Sequence, residues 1–116
     1  MTIGDIRTLL DAEFHCGQEN ADREVHCGCA CDMMSDVLAL VQNQAVLLTG
    51  LVNPQVIRTA EMMDIVCVVL VRGKTPTGAM IELAEERGLT LMSTGHRMFG
   101  ACGILSQAGL TDEGLI

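Results

Sequence analysis

The sequence predicts an α/β fold: a small, mainly parallel sheet made of tandem strand-helix units and flanked by helices. Three apolar runs carry this reading: Ala45 to Thr49, Ile65 to Val71 and Leu89 to Ser93. Each ends in Gly, Ser, Thr or Lys and gives way to a segment with helical spacing, the order that builds parallel sheets with helices on their faces. The middle run is nearly continuous in β-branched residues, which marks a central strand buried on both faces. At 116 residues and 49% apolar content, the chain is long enough to bury a core of its own.

Taken in order, Ile3, Ile6, Leu9, Leu10 and Phe14 recur at helical spacing and predict an amphipathic first helix over Ile3 to Phe14. His15 to Asn20 is a polar connection. Glu24 to Cys31 is read as an extended segment leading to a second helix, Met33 to Gln42, with Asp32 as its N-cap. Met33, Met34, Val37, Leu38 and Val41 form that helix's apolar stripe. After the first tandem strand, Asn53 and Pro54 supply a cap and a first helical residue, and Asp64 ends the helix. Thr75 and Pro76 repeat this start for a helix that Gly88 stops. Ser93-Thr94-Gly95 leads into a last helix, His96 to about Gln107. The tail, polar apart from Leu110, Leu115 and Ile116, is expected to fray.

Composition removes several function classes. A net charge of −8 opposes a broad surface for nucleic acid or anionic membranes, and the near absence of aromatic residues, two Phe with no Trp or Tyr, opposes base stacking. No apolar run reaches transmembrane length, and Met1-Thr2-Ile3-Gly4-Asp5 lacks a signal-peptide pattern, so a cytoplasmic protein with reduced cysteines is expected. Gly73-Lys74-Thr75 has the ending of a phosphate-binding P-loop, but Val68 stands in mid-strand where that pattern requires glycine. No GxSxG, HExxH or GxGxxG motif occurs, and His96 has no acid partner in the sequence, so no catalytic residues and no cofactor are assigned.

Two constellations remain. Cys27-Gly28-Cys29-Ala30-Cys31 places its thiols on one side of an extended segment, where Cys27, Cys29 and Cys31 suit a soft metal, with Cys16 and His15 or His26 near enough to complete a site. A rigid strand separates alternate side chains by about 7 Å, so plain thiols are the competing reading. The second set, Thr49, Gly50, Asn53, Arg72, Lys74, Ser93, Thr94 and His96, falls at the carboxyl ends of the predicted strands. Backbone donors and the two cations there suit a nucleotide phosphate or another small anion, whereas capping and turn roles are the structural alternative.

The order and spacing of several strings resemble the DRTGG domain family, seen also as the N-terminal region of HPr kinase/phosphorylase and beside CBS domains. The strings are Asp22-Arg23-Glu24-Val25, Gly28, Asp32-Met33-Met34-Ser35, Leu48-Thr49-Gly50 and Arg58-Thr59-Ala60-Glu61-Met62. They continue with Val71-Arg72-Gly73-Lys74, Leu91-Met92-Ser93-Thr94, and Met98-Phe99 followed by Ala101-Cys102-Gly103. The resemblance implies one DRTGG-like domain over residues 1–116. It further implies a non-catalytic regulatory or interaction module that self-associates as a homodimer, with a protein partner or a small anionic ligand. Short stand-alone members imply an accessory role beside a hydrogenase-type redox system in anaerobes. Leu51 where the family has another glycine, and Asn53-Pro54 in place of its Asp-Arg, are departures from the pattern.

Overall fold

The segment Ile65–Leu70 is buried at every position and lies at the centre of a five-stranded sheet. In the computed structural model, which describes residues 1–39 and 43–112, the elements in chain order are α1 (Ile3–Leu9), β1 (Glu13–Cys16), a 3-10 turn (Gln18–Asn20), β2 (Cys27–Ala30) and α2 (Met34–Ala39). They continue with β3 (Ala45–Thr49), α3 (Gln55–Met62), β4 (Ile65–Leu70), α4 (Gly78–Glu86), β5 (Thr90–Ser93) and α5 (Met98–Gln107). The strand order is β1-β5-β4-β3-β2, parallel except for β1, which pairs antiparallel with β5. The mainly parallel α/β architecture is therefore the observed one.

Crossovers between parallel strands are right-handed, so strands that advance across a sheet in one direction deliver their helices to one face. Here β2, β3, β4 and β5 follow one another across the sheet, and residues of α2, α3 and α4 (Val37, Val56, Ile57, Met80, Ala84) share a core with Leu47, Val68, Leu70 and Leu91. The opposite face is covered by α1 and α5, through Ile3, Ile6, Leu10, Ala101 and Leu105 packed on Val46, Val66, Val69 and Met92. The strands thus feed two cores, alternately along β3, whereas in β4 Val66 and Cys67 both join the second core beside a register shift against β3; with residues on both faces enclosed, the middle run has to be apolar throughout. No helix among the described residues is long and apolar enough to cross a membrane.

Several boundaries differ from the sequence reading for identifiable reasons. The first helix ends at Leu9 instead of continuing to Phe14. Asp11 turns left-handed at φ 49°, and Phe14 then joins β1, opposite Met92. The helical spacing of Phe14 was a coincidence, overridden by the free edge of β5. Asp32 does not cap α2, because its carboxylate reaches across to the end of β3. The cap of α4 is Thr77, whose hydroxyl accepts the Met80 amide at 3.2 Å, and not Thr75. Helix α5 starts at Met98, two residues later than the sequence suggested. In the predicted second stripe, Met34 and Val37 are buried while Met33 and Leu38 are exposed. Its continuation through Val41 to Gln42 falls outside the described residues, as do Leu115 and Ile116.

One buried polar contact ties the two ends of the sheet's second face together. The Thr94 hydroxyl donates to the Leu10 carbonyl at 2.6 Å, both residues being buried. Replacing Thr94 with valine keeps the shape and strands that carbonyl, so the Thr94→Val protein should lose about 1–3 kcal/mol of stability. Urea unfolding measures this, and an unchanged midpoint would mean the bond contributes nothing net.

Candidate functional site

The carboxyl ends of β3, β4 and β5 meet the loops 50–54, 71–77 and 94–97. In doubly wound sheets a ligand crevice opens where successive connections leave for opposite faces. Here that point lies between β4, whose helix α4 covers one face, and β5, whose helix α5 covers the other. Backbone hydrogen bonds stitch it shut: Thr94 N–H donates to Leu70 O at 2.9 Å, Arg72 N–H to His96 O at 2.8 Å and Gly73 N–H to Thr94 O at 2.9 Å. Arg72 and Gly73 both hold left-handed backbone, φ 61° and 70°. Both of their amides are bonded to protein, so neither is free to hold an anion.

Beside this seam, Asp32 organises a cluster that the sequence did not reveal. Its Oδ1 accepts the Thr49 hydroxyl at 3.1 Å and the Gly50 amide at 2.7 Å, while Oδ2 lies 3.7 Å from the Arg72 guanidinium. Thr49 Oγ1 also accepts the Leu51 amide at 3.2 Å. The guanidinium of Arg72 rests over Gly50: a Cβ there would stand 2.7 Å from its Cζ and collide with a terminal nitrogen. A side chain at position 50 would therefore have to push the end of Arg72 aside.

The predicted anion-site residues separate into three groups. Thr49, Gly50 and Arg72 converge, although Thr49 and Gly50 are buried and bonded internally. Asn53 and Lys74 are exposed, and Asn53 Oδ1 accepts the Gln55 amide at 2.8 Å just ahead of α3, whose N-cap position is Pro54 and not Asn53 as the sequence suggests. Ser93 and Thr94 face elsewhere. A 2.8 Å hydrogen bond joins Ser93 Oγ to His15 Nε2 on β1, and Thr94 is committed to Leu10, also accepting the His96 amide at 3.3 Å. The exposed cations at this edge are Arg72, Lys74 and Arg97, with the exposed His96 beside them.

Cys27, Cys29 and Cys31 share one face of β2 and its continuation, turned toward the α2 and α3 side. The Cys27 thiol is buried and donates to Asn43 O at 3.5 Å, whereas Cys31 Sγ accepts the Met33 amide at 3.3 Å. Burial, with the neighbouring Cys31 and Cys27 thiols adding to it, pushes the Cys29 thiol up to about 11. Cys67, fully enclosed, is pushed up as well. Cys29 and Cys67 are therefore protonated, weakly reactive thiols at neutral pH. Among the described residues, no group of three or more His, Cys, Asp or Glu is arranged to hold a metal ion.

A cavity of about 480 Å³, lined by Gly28, Ala30, Leu48, Cys102, Leu105 and Leu110 among others, lies where α5 leaves the edge strand β2 thinly covered. The sequence does not reveal it, because its lining comes together from β2, β3, α5 and the residues after α5. Leu110 partly fills the space, packing so close that a Cβ on Gly28 would stand 3.0 Å from its Cδ2.

A model of the DRTGG domain family matches residues 5–108. The chain is also similar to the crystal structure of the CBS and DRTGG domains of the regulatory region of Clostridium perfringens pyrophosphatase, which is complexed with its activator, diadenosine tetraphosphate. That likeness has a TM-score of 0.72 and 17% sequence identity, and it covers 99% of this chain and 52% of that one. The chain thus spans about half of the solved structure, and at this identity the likeness concerns the fold. No curated protein matches it.

The packing of Arg72 over Gly50 gives a non-additive mutational signature. A methyl at position 50 meets only the tip of a flexible, 44% exposed side chain, which can swing away at the expense of its contact with Asp32. Gly50→Ala and Arg72→Ala should each cost less than about 1 kcal/mol, and the double variant no more than either alone. Urea denaturation of the four proteins measures this; fully additive costs would contradict the contact.

Proposed function

The chain belongs to the DRTGG domain family, and on that footing we propose that it is a regulatory module without catalytic machinery of its own, acting through contact with a protein surface. The observation that carries this reading is α5. Phe99 is 91% exposed on this helix, next to Gly100 and Gly103, where an added Cβ would meet nothing within 4 Å. Met98, Cys102 and Ile104 are partly exposed around them. A helix that is apolar on its outer as well as its inner side fits a covered position better than a solvated one. Its low glycine-flanked profile admits close approach of a second helix. The first partner is a second copy of the chain; the accessory role beside a hydrogenase-type redox system belongs to the same reading, with α5 as the docking face.

Sedimentation velocity over a dilution series should show a concentration-dependent dimer, and Phe99→Asp should shift it to monomer without unfolding the protein. Monomer at every concentration in the parent protein would end the self-association reading.

A second reading, a sensor of a nucleotide or other phosphorylated ligand, is favoured by Arg72 and Lys74. They are exposed cations at the carboxyl edge while the neighbouring hydroxyls and amides are engaged internally. In this protein of net charge −8, such a ligand would be held by local cations and not by a general field. A bound ligand at one hundred times its dissociation constant adds about 2.7 kcal/mol to stability. Thermal melting against a nucleotide panel should therefore rise for at least one member; uniformly unchanged melting removes this reading.

A further inference from the structure

We infer that Asp32 is an internal competitor for the Arg72 site: a polyphosphate chain takes the guanidinium from Asp32, and the displaced carboxylate loosens the junction between β2 and α2. This deepens the ligand-sensing reading and rests on it.

The two oxygens of Asp32 have different roles. Oδ1 sits within hydrogen-bond range of the Thr49 hydroxyl and the Gly50 amide, fastening the start of the α2 region to the end of β3. Oδ2 neutralises Arg72 from 3.7 Å, beyond the length of a good charge-assisted hydrogen bond, with both side chains 44% exposed. A phosphate oxygen can approach the same guanidinium at about 2.7–2.9 Å and in bidentate geometry, so it is the better partner. Lys74, two residues along the same loop and exposed, adds a second positive charge that favours a chain of phosphates over a single one.

The rest of Arg72 cannot follow the ligand. Its amide is bonded to His96 O and the next amide to Thr94 O, so the backbone is fixed and only the side chain is free to change partner. The arriving anion also lies beside the Asp32 carboxylate and repels it. Asp32 therefore acts against binding in the free protein and responds to it in the complex, which makes it a positioning residue for the site.

Titration calorimetry at low salt with tripolyphosphate and with diadenosine tetraphosphate tests this. Asp32→Asn preserves an acceptor for Thr49 and Gly50 but removes the charge. It should tighten binding about fivefold, the equivalent of an exposed ion pair near the upper end of its usual range. Arg72→Gln should weaken binding at least about tenfold, the scale of a charge-assisted phosphate contact. Gains for both probes assign recognition to the phosphate chain, and a gain for the dinucleotide alone assigns part of it to the nucleosides; either supports the competition. In the parent protein, hydrogen exchange at the Gly50 amide should accelerate when ligand saturates the site, a readout that needs no variant. If the parent binds a probe but Asp32→Asn binds no tighter and Gly50 exchange is unchanged, the competition is overturned while ligand sensing stands. If neither probe binds the parent or Asp32→Asn, the ligand-sensing reading itself falls.

Discussion

Burial of β4 on both faces is the constraint from which the rest of the architecture follows. A strand with Ile65, Val66, Cys67, Val68, Val69 and Leu70 all enclosed needs a strand on each side and a helical layer above and below. Right-handed crossovers commit α2, α3 and α4 to one layer, so the other has to come from the ends of the domain, α1 and α5. Two helices cover a five-stranded face incompletely. The cavity beside β2 lies where this cover is thin, and α5 carries apolar residues toward solvent as well as toward the sheet.

The same topology shapes the carboxyl edge. Because consecutive helices stay on one face until β5, a single switch point is available among the described strands, between β4 and β5. Three backbone hydrogen bonds close it, and among the described residues no buried side-chain nitrogen or oxygen is left without a partner. With these amides bonded to protein, the proposed recognition at this edge falls to charge on flexible side chains, and Arg72 and Lys74 are the cations of the β4 loop.

What could be read from the sequence was what repeats locally. The three tandem runs became β3, β4 and β5, Asp64 and Gly88 ended their helices in left-handed conformations at φ 56° and 67°, and the period of two in the cysteine string put its thiols on one face. Contacts between distant segments were hidden. Phe14 has acceptable helical spacing, and only the unpaired edge of β5 makes it a strand residue. Asp32 stands where an N-cap belongs, yet the donors that claim its carboxylate are the Thr49 hydroxyl and the Gly50 amide, at the end of β3. Thr94 reads as a loop residue, whereas its hydroxyl is used 84 positions away at Leu10. Of the strand-end set, Thr49, Gly50 and Arg72 converge because β3 and β4, which end beside them, are adjacent and parallel, and Ser93 is engaged instead by His15 of the unforeseen antiparallel β1.

The proposed docking helix and the proposed ligand loop are joined by the segment Thr94–Arg97. His96 holds the Arg72 amide with its carbonyl, and α5 begins at Met98. A ligand that moved the Arg72 backbone would have to break bonds to both His96 and Thr94, and Thr94 is anchored in turn to Leu10. That path is stiff. The contact from Arg72 to Asp32 is a half-exposed side-chain pairing, and it is the part of the cluster that can change at small cost. Any response to charge at this edge therefore passes first toward β2 and α2, the opposite direction from α5. Coupling between the two surfaces would require the sheet itself to shift, since a packed core does not bend continuously. The proposed ligand recognition and the proposed self-association are thus separable in this fold.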